Sequence, residues 1–123
     1  MSSENHKKLE TWNKARALVS SIYSLTEGFP KQERYGLTSQ MRRATVSIPS
    51  QIAEGAARRT RKDYLRFLYM ARASLSELDT QLILSNDLGL ITDARLTEFQ
   101  DFITHLASKL QSQINGLEEG TGS

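Results

Sequence analysis

Apolar residues recur every three or four positions along the second half of the chain, and this spacing constrains the fold more than any other sequence feature. Residues at such steps share one side of an α-helix. One helix should begin after Thr60, an N-cap with Asp63 three residues on, and close at Leu88-Gly89, and another should begin at Thr92-Asp93. The two apolar seams are Tyr64, Leu68, Ala71, Leu75, Leu78 and Leu82, and then Leu96, Phe99, Ile103, Leu106, Leu110 and Leu117, broken only at Gln113.

The first part of the chain predicts a long helix with two neighbouring apolar stripes. Its apolar surface is therefore wide and should contact more than one neighbour. Gly28 followed by Pro30 is the usual order of these residues at a helix C-terminus, which predicts where the helix ends. The stripes are Leu9, Trp12, Val19, Tyr23 and Thr26 on one side, and Ala15, Leu18, Ile22 and Leu25 on the other.

A further helix is predicted from Leu37 to Glu54, with Gly55 as its stop. Pro49 falls inside this helix, where it removes a backbone donor and crowds the carbonyl of Thr45, so a kink is expected there. Because the residue before a proline disfavours the helical region, two shorter helices meeting at Ile48 are the alternative. The apolar line of this segment is Leu37, Met41, Ala44, Ile48 and Ile52.

Four helices joined by connections of a few residues predict an all-α fold, an up-down-up-down four-helix bundle whose second helix is kinked at Pro49. A length of 123 residues suits a single domain spanning residues 1–123, with flexible ends at about 1–6 and 118–123. Phe29 and Tyr35 are expected to anchor the first connection to the bundle, because an aromatic loop residue packs more often than it binds a ligand.

Composition excludes several classes of protein. Cysteine is absent, so neither a disulfide framework nor thiolate metal or redox chemistry is available. The polar N-terminus has no apolar segment behind its charges, and the chain has no run of about 18 apolar residues. These features predict a soluble, cytoplasmic protein without a membrane partner.

Charge is distributed unevenly along the chain. Residues 31–72 contain ten Lys and Arg against three Asp and Glu, whereas residues 73–123 contain two against eight. Such asymmetry favours either an anionic partner for the basic middle or attraction between the two parts, within one chain or between chains. Charges that merely solvate helix surfaces are the alternative explanation.

No constellation of residues supports catalysis, and neither a cofactor nor a metal site is predicted. His105 lies beside the apolar seam, and Asp101 four residues earlier is a better partner for a surface ion pair than for a shared metal. Carboxylate-bridged di-iron bundles need Glu-x-x-His on two helices, but the residue three before His105 is Phe102. A phosphate-binding glycine loop of the G-x-x-x-x-G-K type is also absent.

The middle of the chain carries a resemblance to a known family. Its most specific parts are Tyr35-Gly36-Leu37-Thr38-Ser39-Gln40, Arg43-Ala44, Ser47-Ile48-Pro49-Ser50 and Ile52-Ala53-Glu54-Gly55. These motifs resemble the bacterial four-helix bundle proteins first noticed as reading frames inside intervening sequences of 23S ribosomal RNA genes. The likeness extends to the first helix, at Leu9 to Leu25, and to the last, at Leu96 to Leu117.

The resemblance implies a bundle that assembles into a homo-oligomeric ring, a pentamer. It also implies a distant relation to the accessory protein of diversity-generating retroelements, a basic barrel associated with nucleic acid and with its reverse transcriptase. RNA or DNA binding without catalysis is the function it suggests, with a nucleic-acid-processing protein as a further partner. This expectation agrees with the basic middle of the chain.

Two interpretations from different classes follow. In the first, the protein is a non-enzymatic nucleic-acid-binding accessory protein whose cations contact phosphates. In the second, it is a structural or protein-interaction scaffold ring whose basic and acidic surfaces meet across subunits. Few aromatic residues lie among the cations, so backbone contact is a stronger expectation than base stacking. The predicted contact residues are Arg42, Arg43, Arg58, Arg59, Arg61, Lys62, Arg66 and Arg72.

Overall fold

Four α-helices and one short 3-10 turn form the structure. The computed structural model describes the backbone of residues 3–120 and the side chains of residues 10–120. Each helix packs against the next along the chain, and the first also packs against the last. The predicted up-down-up-down four-helix bundle is therefore confirmed. The elements are α1 (Ser3–Glu27), the 3-10 turn (Lys31–Glu33), α2 (Leu37–Ala56), α3 (Arg61–Asp87) and α4 (Asp93–Glu119).

The predicted apolar seams meet in one core. The Ala15, Leu18 and Ile22 stripe of α1 is buried, whereas Trp12 of the neighbouring stripe is half-buried against the edge of the core. On α4, Ile114 is fully buried, and Leu117, which the seam predicted, only packs against the core. The largest fully buried side chains are Leu18, Ile22, Met41, Ile48, Ile52, Leu68, Leu75, Leu78, Leu82, Leu106, Leu110 and Ile114.

Helix ends that depend on local chemistry lie where the sequence predicts them. The Thr60 hydroxyl accepts a hydrogen bond from the Asp63 amide at 3.1 Å, which caps α3. After α3, Gly89 adopts a left-handed φ of 76°, and the amides of Gly89 and Leu90 donate to the carbonyls of Asn86 and Ser85. This pair of bonds closes the helix, as the Leu88-Gly89 pattern indicates.

Helix α2 differs from the prediction at its C-terminal end. It is one continuous helix with Pro49 inside it, so two helices meeting at Ile48 were the wrong alternative, and the kink stays a prediction. Gly55 does not stop the helix, which ends at Ala56. A Cβ at Gly55 would lie 2.8 Å from the Cβ of Phe67, so this glycine is needed where α2 and α3 approach closely.

The polar break in the α4 seam has a structural explanation. Gln113 is buried, and its side-chain amide donates to the hydroxyl of Tyr64 on α3 at 2.6 Å. The Oε1 atom of Gln113 has no hydrogen-bond partner among the described residues. The two side chains thus form a polar contact between α3 and α4 inside an otherwise apolar layer.

One expectation about the first connection needs correction. Tyr35 does not anchor it, since this residue is 88% exposed, whereas Phe29 does pack against the core. Helix α1 begins at Ser3 and α4 continues to Glu119, and the expected flexibility of the ends at about 1–6 and 118–123 stays a prediction. Residues 1, 2 and 121–123 of those ends lie outside the described residues.

Candidate nucleic-acid interface

The predicted cations lie in two groups at opposite ends of α2. Arg42 and Arg43 belong to its first two turns, whereas the group that we call the junction cluster surrounds the connection to α3. The helix from Arg43 to Ala56 rises by roughly 20 Å, so the two groups are separate surfaces. The junction cluster is Arg58, Arg59, Arg61 and Lys62.

Within the junction cluster, the cations differ in what they already contact. Arg59 and Lys62 are exposed and have no acidic partner among the described side chains. Arg58 forms an exposed ion pair with Glu54 at 3.4 Å and stacks over the Phe67 ring at 4.7 Å. Arg61 is half-buried beside Gly120 at the end of α4. Two cations are thus free to bind an anion, and a third is held by a weak surface pair.

Two further predicted cations extend this surface along α3. Arg66 pairs with Asp63 at 3.7 Å and lies over the Phe67 ring at 4.6 Å, on which Arg58 also stacks. Arg72 lies over the Tyr69 ring at 4.7 Å and donates to the side chain of Gln111 on α4. Both side chains are exposed, and their present contacts are ones that an anion can replace at small cost.

Tyr69 connects α3 with the acidic end of α4. Its hydroxyl donates a hydrogen bond to the Glu118 carboxylate. This hydrogen bond raises the pKa of the Tyr69 hydroxyl above its usual value of 10.0, and the nearby Arg72 opposes the shift only weakly. The contact is one place where the basic middle meets the acidic C-terminal part within one chain.

At the other end of α2, Arg42 and Arg43 have different roles. The Arg42 guanidinium donates to the Thr26 hydroxyl at 2.9 Å and to the Tyr23 carbonyl at 3.3 Å, and it stacks over the Tyr23 ring at 4.4 Å. These bonds fix Arg42 against the last turns of α1. Arg43, in contrast, is exposed and has no acidic partner among the described side chains. Of this pair, Arg43 is the better anion contact.

The sequence reasoning missed two residues beside Arg43. Arg34 and Tyr35 line the same groove as Arg42 and Arg43, together with Tyr23 of α1. The Arg34 guanidinium lies 5.7 Å from the centre of the Tyr35 ring. The sequence signal for this pair is an arginine next to a tyrosine in a loop. The expectation that Tyr35 packs against the bundle led away from it.

Two kinds of feature are absent from the described residues. No helix in this part of the chain is both long and apolar enough to cross a membrane. Likewise, no three His, Cys, Asp or Glu side chains among the described residues come together as metal ligands. Asp101 and His105 are both exposed on α4. The ion pair that the sequence predicts between them is not among those of the described side chains.

Comparison with known proteins assigns the family. A family model described as 23S rRNA-intervening sequence protein matches residues 7–112. The chain belongs to this family. A solved structure, that of a protein of unknown function from the S23 ribosomal protein family of Bacteroides thetaiotaomicron, is 21% identical with a TM-score of 0.83. The alignment covers 89% of this chain and 98% of that one, and at this identity the likeness shows a shared fold. No curated protein matches the chain.

The family match includes both cationic surfaces. Residues 7–112 contain all eight predicted contact residues as well as Arg34 and Tyr35. The resemblance drawn from the α2 motifs is therefore confirmed at the level of the family and the fold.

Proposed function

We propose that the protein is a non-enzymatic accessory protein that binds RNA or DNA through its junction cluster and acts as a ring-shaped homo-oligomer. One observation carries this proposal: Arg59 and Lys62 are exposed without an acidic partner among the described side chains. They stand next to Arg58, whose exposed pair with Glu54 belongs to a type that contributes only about 0–1 kcal/mol. Three cations within five residues are thus available to phosphates.

The chemistry of the cluster favours phosphate contact over base reading. Guanidinium groups match the geometry of phosphate oxygens, and neutralising phosphates releases counterions. Such contacts fix position on the nucleic acid but carry no sequence information. Binding should therefore depend strongly on salt and weakly on sequence. Because the family description refers to 23S rRNA, structured RNA is the first ligand to test.

A groove on the outer side of α1 and α2 supports the homo-oligomer, and the pentamer is the subunit number that the family resemblance implies. Trp12 and Val19 of α1 face Val46, Pro49 and Ala53 of α2 across a groove of about 510 Å³. The opposite charges of residues 31–72 and 73–123 would also attract across subunits. Light scattering coupled to gel filtration should give a mass near five times the 13.9 kDa of one chain. A mass of one chain at micromolar concentration would contradict the ring.

The binding experiment compares the wild-type protein with a variant in which Arg58, Arg59, Arg61 and Lys62 are changed to Ala. The protein is first freed of carried-over nucleic acid, and its affinity for structured RNA is measured across a series of salt concentrations. The slope of log affinity against log salt is about 0.7 per phosphate on single strands and 0.9 on B-form DNA. The variant should lose affinity for all sequences, and its slope should flatten by up to about 3 units.

A control removes charge elsewhere. Changing Lys14, Arg95 and Lys109 to Ala takes three cations from α1 and α4, none of which lines the groove between α1 and α2, and should leave most of the affinity and slope intact. Gel electrophoresis of the recovered RNA checks that it is bound without being cleaved. If the junction variant binds with unaltered affinity and slope, the cluster does not contact phosphates and is better explained as a subunit contact.

A scaffold ring without nucleic-acid binding is the second candidate. The groove between α1 and α2, which Trp12 lines, favours it because another subunit can fill this groove without any nucleic acid. It predicts a stable oligomer that fails to shift structured RNA at physiological salt. The two functions thus differ in one measurement on the same purified protein.

A further inference from the structure

The groove at the N-terminal end of α2 combines an exposed aromatic ring with three arginines. It has a volume of about 580 Å³, within the range of roughly 300–1,000 Å³ that is usual for ligand clefts. Tyr23 and Val46 contribute its apolar side, and Thr38 and Ser39 add hydroxyl groups. It lies roughly 20 Å along α2 from the junction cluster, so it is a separate surface.

Tyr35 is the most exposed large apolar side chain in the described part of the chain. At 88% exposure, it gains almost nothing from burial, so packing does not explain the ring. A single exposed tyrosine is ordinary on a protein surface. Tyr35 differs because its ring shares a groove with Arg34, Arg42 and Arg43. One face of the ring lies near the Arg34 guanidinium, which leaves the remaining surface open to another planar group.

The arginines in the groove divide into a fixed one and two available ones. Arg42 is fixed by its hydrogen bonds to Thr26 and Tyr23 and lines one side of the groove. Arg34 and Arg43 are exposed and form no ion pair with the described acidic side chains. Two exposed cations thus flank an open aromatic ring.

The acidic residue nearest to this end of α2 is already engaged. One carboxylate oxygen of Glu33 accepts a hydrogen bond from the Leu37 amide at 3.2 Å, which caps the start of α2. Glu33 therefore neutralises the helix end, and an anion in the groove would depend on Arg34 and Arg43. A neighbouring groove shares Arg34, Thr38 and Arg42 with this one, and it adds both Lys31 and Glu27, so it contributes no further net positive charge.

From this arrangement, and resting on the nucleic-acid binding proposed above, we propose that the groove is a stacking subsite for an unpaired nucleotide of a single-stranded or looped RNA. A base lies on the open face of Tyr35, and the phosphates on either side contact Arg43 and Arg34. Bases within a duplex present no free face, so an unpaired segment fits and a continuous helix does not. The hydroxyls of Thr38 and Ser39 are placed to bond the ribose or the base edge.

The experiment separates stacking from charge. The affinities of wild-type protein, Tyr35→Ala and Tyr35→Phe are measured for oligouridylate and for an RNA of equal length without bases. Tyr35→Ala should weaken binding of oligouridylate by roughly 5- to 100-fold, the size of one lost stack, and leave binding of the abasic RNA unchanged. Tyr35→Phe should keep the wild-type affinity for both, because it retains the ring.

A control tyrosine and the oligomer mass complete the test. Tyr69→Ala removes another exposed tyrosine beside an arginine and should not alter the difference between the two RNAs. Equal effects of Tyr35→Ala on both RNAs, or none, would overturn the subsite but leave the junction cluster intact. A loss of oligomer mass in Tyr35→Ala would show instead that a second copy of the chain covers the groove. If wild-type protein binds no RNA, both proposals fail.

Discussion

Replacing Gly55 by Ala tests whether α2 and α3 approach as closely as the structure shows. In most helices this change is stabilising, because alanine has the higher helix propensity. Gly55 lies inside α2 with a φ that alanine can adopt, since Gly89 is the one described residue with positive φ. Whether Gly55→Ala stabilises or destabilises the fold therefore depends on the space around Gly55. A Cβ there would lie 2.8 Å from the Cβ of Phe67 and 3.0 Å from a ring carbon of Tyr64.

The expected magnitude follows from two opposing effects. The Phe67 Cβ is attached to the α3 backbone and cannot rotate away, so the helices must separate, at the overpacking cost of about 1–3 kcal/mol. Helix propensity returns about 0.5–1 kcal/mol. The net free energy of unfolding should fall by about 1–2 kcal/mol, which lowers the Tm by roughly 3–8 °C for a chain of this length.

The same chain provides the matched control. Gly116 also lies within a helix, α4, but a Cβ there would meet no atom within 4 Å. Gly116→Ala should therefore raise the Tm by roughly 2–4 °C, as helix propensity alone predicts. Thermal unfolding followed by circular dichroism, with all proteins at one concentration, compares the two variants. If Gly55→Ala raises the Tm as Gly116→Ala does, the close approach of α2 and α3 is wrong.

Three other perturbations have defined outcomes. Tyr64→Phe should cost about 1–3 kcal/mol in urea unfolding because it leaves the buried Gln113 amide without its acceptor, and adding Gln113→Leu should recover part of that loss. The hydrogen bond to Glu118 raises the pKa of Tyr69 in the folded state. The stability that this contact contributes is therefore complete below pH 10.0, and it is lost as the pH rises through the pKa of Tyr69 in the folded protein. An absorbance titration should show that Glu118→Ala moves the ionisation of Tyr69 to lower pH than in the wild-type protein. Pro49→Ala should restore a backbone donor to α2, raise the Tm and straighten the helix in a crystal structure, and an unchanged axis would mean that the proline does not bend it.

The helix ends that the sequence predicted correctly are those governed by local chemistry. The hydroxyl of Thr60 caps α3 through an amide three residues away, and Gly89 closes the same helix through bonds within six residues. Gly55 could not be interpreted in this way. Near a helix end, glycine favours a stop, whereas the need to admit Phe67 arises only after α3 has folded back along α2.

The sequence predicts which segment of the chain is basic, but it does not predict which of the cations are open to an anion. Counting charges identifies the basic middle, but the counts do not show that Arg42 is fixed by Thr26 or that Arg43 next to it is open. Those differences depend on which helix lies opposite each side chain. Tyr35 was misassigned for the same reason, because burial of a loop aromatic depends on where the loop is directed.

The pairing of α2 with α3 also has a consequence for how the chain folds. These helices share the most extensive interface in the bundle and are joined by its shortest connection, residues 57–60. Closing a short loop costs the least chain entropy, so this hairpin should form in the transition state before α1 and α4 dock. Truncating Ile48 or Leu75 should then slow refolding, whereas truncating Ile22 or Ile114, equally buried, should mainly accelerate unfolding. Truncations of equally buried residues would thus change different rates, the refolding rate for α2 and α3 and the unfolding rate for α1 and α4.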